Sequence, residues 1–280
     1  MTTLVTGATG QVGRRFVRRL LDDRQALRVV VRDAVRAEPL RERGAETVLG
    51  DLRDEGVAAR AIDGVDAVVH LAAAFRGVDD EEAVDVNERA TVALAQHVAA
   101  AGIAPFVFAS TNLVYGGGHG RPALEDDKPA PGHAYPQSKA AAERALCELH
   151  ERAGLGVRIA RFAFVYGEGD PHLEQSLLWA REWPLHKRMH LVHHADVAQA
   201  LRRLLHAEGV DGRIFNIGDD APVTALELFE LNGEEPPEGS AGRVLDDPWE
   251  GIVDTKKART ELGFRPIYPT VYEAQAAGAL

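Results

Sequence analysis

Short apolar runs alternate with longer amphipathic ones from Thr3 to Gly167, and this rhythm constrains the fold more than any other feature. TTLVTGA reads as a strand and QVGRRFVRRLLDD as a helix. ALRVVVRD, AETVLGD and VDAVVHLAA read as further strands. NERATVALAQHVAAAG predicts a helix closed by glycine, PFVFAST a strand, AYPQSKAAAERALCELHERAG a long helix and GVRIARFAFVYG a strand. Strands separated by helices of this length imply βαβ crossovers and a parallel sheet covered on both faces. The expected class is α/β with a doubly wound parallel sheet.

The first strand-to-helix turn, VTGATGQVGRR, carries Gly7, Gly10 and Gly13. Glycine permits positive φ and close backbone approach. The N-terminus of the helix then offers free N–H groups and a positive dipole end to a pyrophosphate. Gly7, Thr9, Gly10, Gln11, Val12 and Gly13 are therefore candidate cofactor-binding positions, and the expected sheet is of Rossmann type. At the end of the second strand stand Arg32 and Asp33. An acid there suits the ribose hydroxyls of NAD, and an arginine suits the 2′-phosphate of NADP. Arg14 and Arg36 add positive charge nearby, so the expectation is NADP, with NAD as the alternative. After the fourth strand, Leu71, Ala72 and Ala73 are candidate cofactor-binding positions, and Ala72 and Ala73 are small enough to let a dinucleotide lie against the backbone.

The rhythm weakens after residue 167. Segment 168–194 is rich in Trp and His, ADVAQALRRLLHAEG predicts a helix, RIFNIGD a strand and ALELFEL a short helix. NGEEPPEGSAGRVLDDP reads as loop from its Gly, Pro and charge content. No linker separates the halves. Residues 1–167 are expected to form the dinucleotide-binding domain. Residues 168–280 would form mainly a small substrate-binding lobe, with some segments returning to the first domain and a ligand cleft between.

The chain has 280 residues, with 32 basic against 43 acidic side chains and a net charge of −11. That balance argues against nucleic acid or an anionic membrane as partner. There is no apolar stretch of membrane-spanning length, no signal-like leader and a single cysteine, Cys147. The expectation is a cytoplasmic protein without an internal disulfide.

Tyr135 and Lys139, in AYPQSK, are four apart and share a helix face. Alone, that spacing fits ordinary amphipathic surface as well as a proton-transfer device. The series HLAA, STNLVYG, YPQSK and RFAFVYG, followed by DTKKARTELGFRP, supplies context. Together with the G-x-x-G-x-x-G turn, it resembles the extended branch of the short-chain dehydrogenase/reductase superfamily, the NAD-dependent epimerase/dehydratase family. The resemblance covers nearly the whole chain. It implies Tyr135 as general acid/base, Lys139 as the cation that stabilises its phenolate and holds the nicotinamide ribose, and Thr111 as the hydroxyl that orients the substrate oxygen. It implies a supporting role for Asn87. It also implies that Asp51 and Leu52, in GDLRD, hold the adenine. Homodimerisation through the two alanine-rich helices is a further implication.

The chain departs from that pattern in places. Dehydratases of this branch carry an acidic pair after the catalytic threonine, where this chain has Asn112 and Leu113. Phe162 and Phe164 stand where proline and asparagine are usual. The segment between Gly169 and His193 is short and holds Trp179, Trp183, His186 and His190. A compact aromatic pocket suits a small substrate better than a nucleotide sugar. Five of the eleven histidines fall within 172–194, yet no cysteine lies nearby and the chemistry needs no metal, so no metal site is expected. His193 or His194 with Asp196 resembles a His-x-Asp segment beside the family's cleft.

The expected function is an NAD(P)-dependent oxidoreductase that moves a hydride between nicotinamide and a carbonyl or alcohol carbon of a small molecule. The alternatives are a sugar or nucleotide-sugar epimerase and, from another class, a cofactor-binding sensor or scaffold without turnover.

Overall fold

The computed structural model of the chain describes residues 1–54 and 56–280. Its strands are β1 (Thr3–Thr6), β2 (Leu27–Val31), β3 (Glu46–Leu49), β4 (Ala67–His70), β5 (Phe106–Thr111), β6 (Val157–Phe162), β7 (Phe164–Tyr166), β8 (Arg188–Met189), β9 (Leu191–His193), β10 (Arg213–Ile217) and β11 (Val223–Thr224). The helices in the first half are α1 (Gln11–Asp22), α2 (Ala34–Glu42), α3 (Val57–Ile62), α4 (Asp80–Val84), α5 (Ala90–Ala100) and α6 (Ala134–Ala153). Those that follow are α7 (His172–Gln175), α8 (Leu177–Ala180), α9 (His194–His206), α10 (Ala225–Leu231), α11 (Lys256–Glu261) and α12 (Val271–Ala276).

Seven strands form one parallel sheet in the order β10-β6-β5-β4-β1-β2-β3. The side-chain period of two sorts neighbours along each strand onto opposite faces. Val5, Val29, Val31 and Val107 pack with α1 and α9 residues such as Phe16, Leu20 and Leu201. Leu4, Val30, Phe106 and Phe108 pack with α3, α5 and α6 residues such as Ala61, Leu94 and Leu146. Both faces are thus buried, which explains why these strands are continuously apolar in sequence. The winding reverses between β1 and β4, and the crevice beyond the carboxyl ends of those strands is where doubly wound sheets bind ligands.

Three departures from the sequence reading have local causes. Asp33 caps α2 by accepting from the Val35 N–H at 2.8 Å, so the VRDAVR run ends as a helix start. The helix expected over NERATVALAQHVAAAG begins as a single π turn, Asp85–Arg89, before α5. The strand expected over GVRIARFAFVYG breaks at Ala163. Ala163 N–H still donates to Ile217 of β10, but Phe164 N–H donates to His190, and β7 pairs in parallel with β9 outside the main sheet. That break starts a second, smaller core built from Tyr166, Leu173, Leu177, Leu191, Leu228, Phe229 and Val271. α9 and β10 return to the main sheet after it.

Candidate active site

The glycine turn leaves β1 and folds against the end of β4. Gly7 has φ +68°, and a Cβ there would come within 2.6 Å of the Ala72 nitrogen and the Leu71 carbonyl carbon. A Cβ on Gly13 would lie 2.0 Å from the Gly7 oxygen. Gly10 caps α1 without a side-chain bond, its N–H donating to the Gly7 carbonyl at 3.0 Å, and no acidic residue occupies the first turn. The N-terminus of α1 is therefore lined by backbone with no side chain competing for it. This is a cradle for an anion. Thr9 and Val12 are half-buried beside it and Gln11 is exposed, its side-chain oxygen accepting from Arg15.

His70 ties the two central strands together. Its Nδ1 is hydrogen-bonded to Thr6 Oγ1 at 2.7 Å and its Nε2 to Thr91 Oγ1 at 2.8 Å, and the Ala72 N–H donates to Thr6 Oγ1. The ring stacks on Phe108. Complete burial and the nearby Lys139 push it down to about 3, so it is a neutral strut at ordinary pH. The histidine of HLAA carries this role, which the sequence reading did not assign.

At the end of β2 the charges are compensated. Arg32 lies 3.7 Å from Asp51, and Arg36 lies 4.0 Å from Asp33. Asp51 also receives two bonds from the Arg53 guanidinium, at 3.0 and 2.8 Å, and one from the Arg53 backbone N–H, and the side-chain bond to Arg53 chiefly holds its carboxyl below the usual range. Leu52 is half-buried against the α3 side of the core, and Leu71 against the opposite core. Ala72 is half-buried and Ala73 exposed, next to the glycine turn.

Asn87 is fully buried in the π turn. Its Oδ1 accepts from Ala74 N–H and its Nδ2 donates to Ala74 C=O, both at 2.8 Å, and Nδ2 also reaches Ser138 Oγ at 3.1 Å. It joins the loop after β4 to the first turns of α6. π turns of this kind recur at functional sites.

Tyr135 and Lys139 occupy those first turns. Lys139 is 2% exposed, with its ammonium 4.1 Å from the ring centre of Phe108, midway along β5. The Phe75 ring lies 4.4 Å from that of Tyr135. Burial pushes the Tyr135 phenol up to about 12 and the Lys139 ammonium down to about 7, the latter opposed by Glu143. Both groups are thus biased towards neutrality by desolvation. A proton moved from phenol to amine would create both charges together, and their attraction would offset part of that cost. Thr111, at the end of β5, is buried and accepts from Leu113 N–H at 3.2 Å. Ser110 beside it is buried with no partner for its hydroxyl.

The structure brings Tyr135, Lys139, Asn87 and the Leu71–Ala74 loop together. Arg32, Asp33, Arg36 and Asp51 form a separate charged group along the carboxyl ends of β2 and β3. The histidines of 172–194 disperse. His190 bonds the Asp219 carbonyl, His193 the Ala279 carbonyl and His194 the Asp170 carboxylate. Among the described residues no group of three or more His, Cys, Asp or Glu side chains is placed to hold a metal. Asn112, where dehydratases carry an acid, donates to the Gly251 carbonyl at 2.7 Å. The tyrosine of LVYG, Tyr115, is structural: it donates to Asn216 and lies under the Arg161 guanidinium.

The model of the NAD-dependent epimerase/dehydratase family matches residues 3–218. The chain belongs to that family. A dTDP-glucose 4,6-dehydratase of Streptomyces griseus is 31% identical over 304 aligned residues, covering 95% of this chain and 90% of that one. MoeE5, solved with UDP-glucuronic acid and NAD, superposes with a TM-score of 0.82 at 29% identity, covering 99% of this chain and 97% of the other. DesIV, a dTDP-glucose 4,6-dehydratase of Streptomyces venezuelae solved with NAD and TYD, gives 0.78 at 27% identity and the same coverage. This epimerase/dehydratase family member is accordingly an oxidoreductase-type enzyme on a Rossmann-like sheet. No described helix is long and apolar enough to cross a membrane.

Proposed function

We propose that this chain transfers a hydride between a nicotinamide dinucleotide and a carbonyl or alcohol carbon of a small molecule, with Tyr135 as the acid/base. The observation that carries the reading is the position of Tyr135 on α6 one helical turn before the buried Lys139, whose ammonium lies over Phe108 of β5.

The residues present fit a dinucleotide: the turn at Gly7, Gly10 and Gly13 leaves the start of α1 to an anion, and a Cβ at either end of it would collide with backbone. Gly7, Thr9, Gly10, Gln11, Val12 and Gly13 would hold the pyrophosphate. Asp51 and Leu52 would hold the adenine, Leu71, Ala72 and Ala73 the nicotinamide half, and Lys139 its ribose. A nicotinamide dinucleotide held there would supply the hydride chemistry. The protein's own residues do the rest. Tyr135 holds the proton that the substrate oxygen gains or loses. Lys139 stabilises the phenolate once it forms. Thr111 presents its hydroxyl to the oxygen, where charge develops. Asn87 fixes Ala74 and Ser138, and so the spacing between the β4 loop and α6.

The cofactor choice rests on Arg32, Asp33 and Arg36. The sequence favours NADP. The arrangement supports NAD, because each of the two arginines faces an acid and Asp33 is fixed as the cap of α2. Solved relatives that carry NAD add to that support.

Epimerisation is the second reading, supported by likeness to a solved UDP-glucose 4-epimerase of Thermus thermophilus, 94% of which this chain covers at 26% identity. Dehydration is disfavoured, since Asn112 is committed to Gly251 and Leu113 has no proton to give. We place the substrate lobe after residue 167. Self-association is proposed through α5 and α6, where Ala93 and Ala100 are exposed and Ala141 and Ala145 half-buried. A cytoplasmic location is the reading consistent with one half-buried cysteine and no disulfide.

Titration of the protein with NADH and NADPH, followed by turnover assays on carbonyl and sugar-nucleotide panels with Tyr135→Phe as control, tests the reading. Absence of binding to both dinucleotides overturns it.

A further inference from the structure

The loop after β4 reaches across the cleft through Arg76. Its two terminal nitrogens donate to Gln175 Oε1 at 2.8 Å and to His172 Nε2 at 2.6 Å, both on α7. The His172 ring is neutral there, since its Nε2 accepts while its Nδ1 donates to the Val165 carbonyl at 3.0 Å. The guanidinium lies 4.7 Å from the Phe75 ring centre and 4.5 Å from that of Trp179. Phe75 in turn packs on Tyr135.

The partners of this arginine are all uncharged. No described carboxylate stands within ion-pair distance of it, in a chain with 43 acidic side chains. Asp170 attracts it only from farther off and is itself held by His194 and Arg15. Aromatic contact orients a guanidinium without neutralising it. Of its five N–H donors two are used, and the fork that remains matches a planar or tetrahedral oxyanion.

We infer that Arg76 is the anion receptor on the substrate side of the cleft, and that the reacting molecule carries its own carboxylate or phosphate. The inference rests on the assignment of Tyr135 under Proposed function. The anionic group sits one aromatic ring away from the carbon that reacts, with Phe75 as the spacer.

Calorimetric titration of the full chain with glucuronate, glucose 6-phosphate and glucose tests this without requiring turnover. The three share one ring and differ at one carbon. At least one anion should bind about tenfold or more tightly than glucose. Arg76→Gln should abolish that preference, leave glucose affinity and the melting temperature unchanged, and Arg76→Lys should restore only part of it. Whichever anion prevails names the group. A wild-type chain that prefers neither anion over glucose overturns the inference. So does an Arg76→Gln protein that keeps the preference or weakens all three ligands alike. Tyr135→Phe, measured in parallel, separates the two readings. Loss of turnover there with an intact preference in Arg76→Gln defeats only the anion receptor; undiminished turnover there defeats only the catalytic assignment.

Discussion

Asn87 holds Ala74 by both of its backbone groups, at 2.8 Å each, from a turn that winds one residue wider than an α-helix. The pairing satisfies both backbone groups of the buried Ala74 and sets the height of Phe75 and Arg76 above the sheet. Asn87→Ala should cost about 1–3 kcal/mol of stability, the penalty for orphaned buried polar groups. Denaturant melts check the cost. Turnover should fall further than cofactor affinity.

Tyr135→Phe should lower the rate by about 10²–10⁴-fold, the usual worth of a positioned acid or base. Dinucleotide affinity should stay near that of the parent. Stopped-flow hydride transfer and fluorescence titration read the two separately.

Lys139→Met should abolish turnover and yet raise the melting temperature. Burial holds the ammonium near 7, well below its unfolded value of 10.5, so the charged form is penalised in the native state. The unfolded chain then binds more protons between those values, and native stability rises with pH across that window. The gain from methionine should be greatest below pH 7 and vanish as pH approaches the unfolded value. A gain that grows with pH would contradict the assignment.

Arg161 and Glu143 form a buried pair between β6 and α6, with Arg161 also donating to the Glu125 carbonyl. Glu143→Leu should destabilise by about 3–5 kcal/mol, because it strands a desolvated guanidinium. Adding Arg161→Met should recover part of that loss, which a double-mutant cycle measures.

Gly13→Ala should disrupt the cofactor turn, since its methyl would meet the Gly7 oxygen at 2.0 Å. A loss of about 1–3 kcal/mol in stability is expected from such overpacking, together with weaker dinucleotide binding in the same titration.

Much of the framework was legible in the sequence because parallel strands buried on both faces must be apolar throughout, and Leu4-Val5 or Phe106-Val107-Phe108 show it. The glycine turn and the Tyr135–Lys139 spacing are local and equally plain. The break at Ala163 was not, because it depends on a change of hydrogen-bond neighbour from Ile217 to His190, which only the folded chain brings together. The same holds for Asn87, whose amide uses both of its ends on Ala74, a residue thirteen positions away. The charges of Arg32, Asp33, Arg36 and Asp51 were all visible, but not which arginine would face which acid. Phe75 and Arg76 gave no signal at all: their meaning lies in α7, far along the chain.

Because β10 closes the sheet beyond β6 only after the whole excursion through β7, β8 and β9, a ribosome must deliver residue 217 before the nucleotide layer has its final edge. A fragment ending at the break would expose β6 as a bare, sticky border, so cutting the gene there should yield aggregates and not a free-standing half.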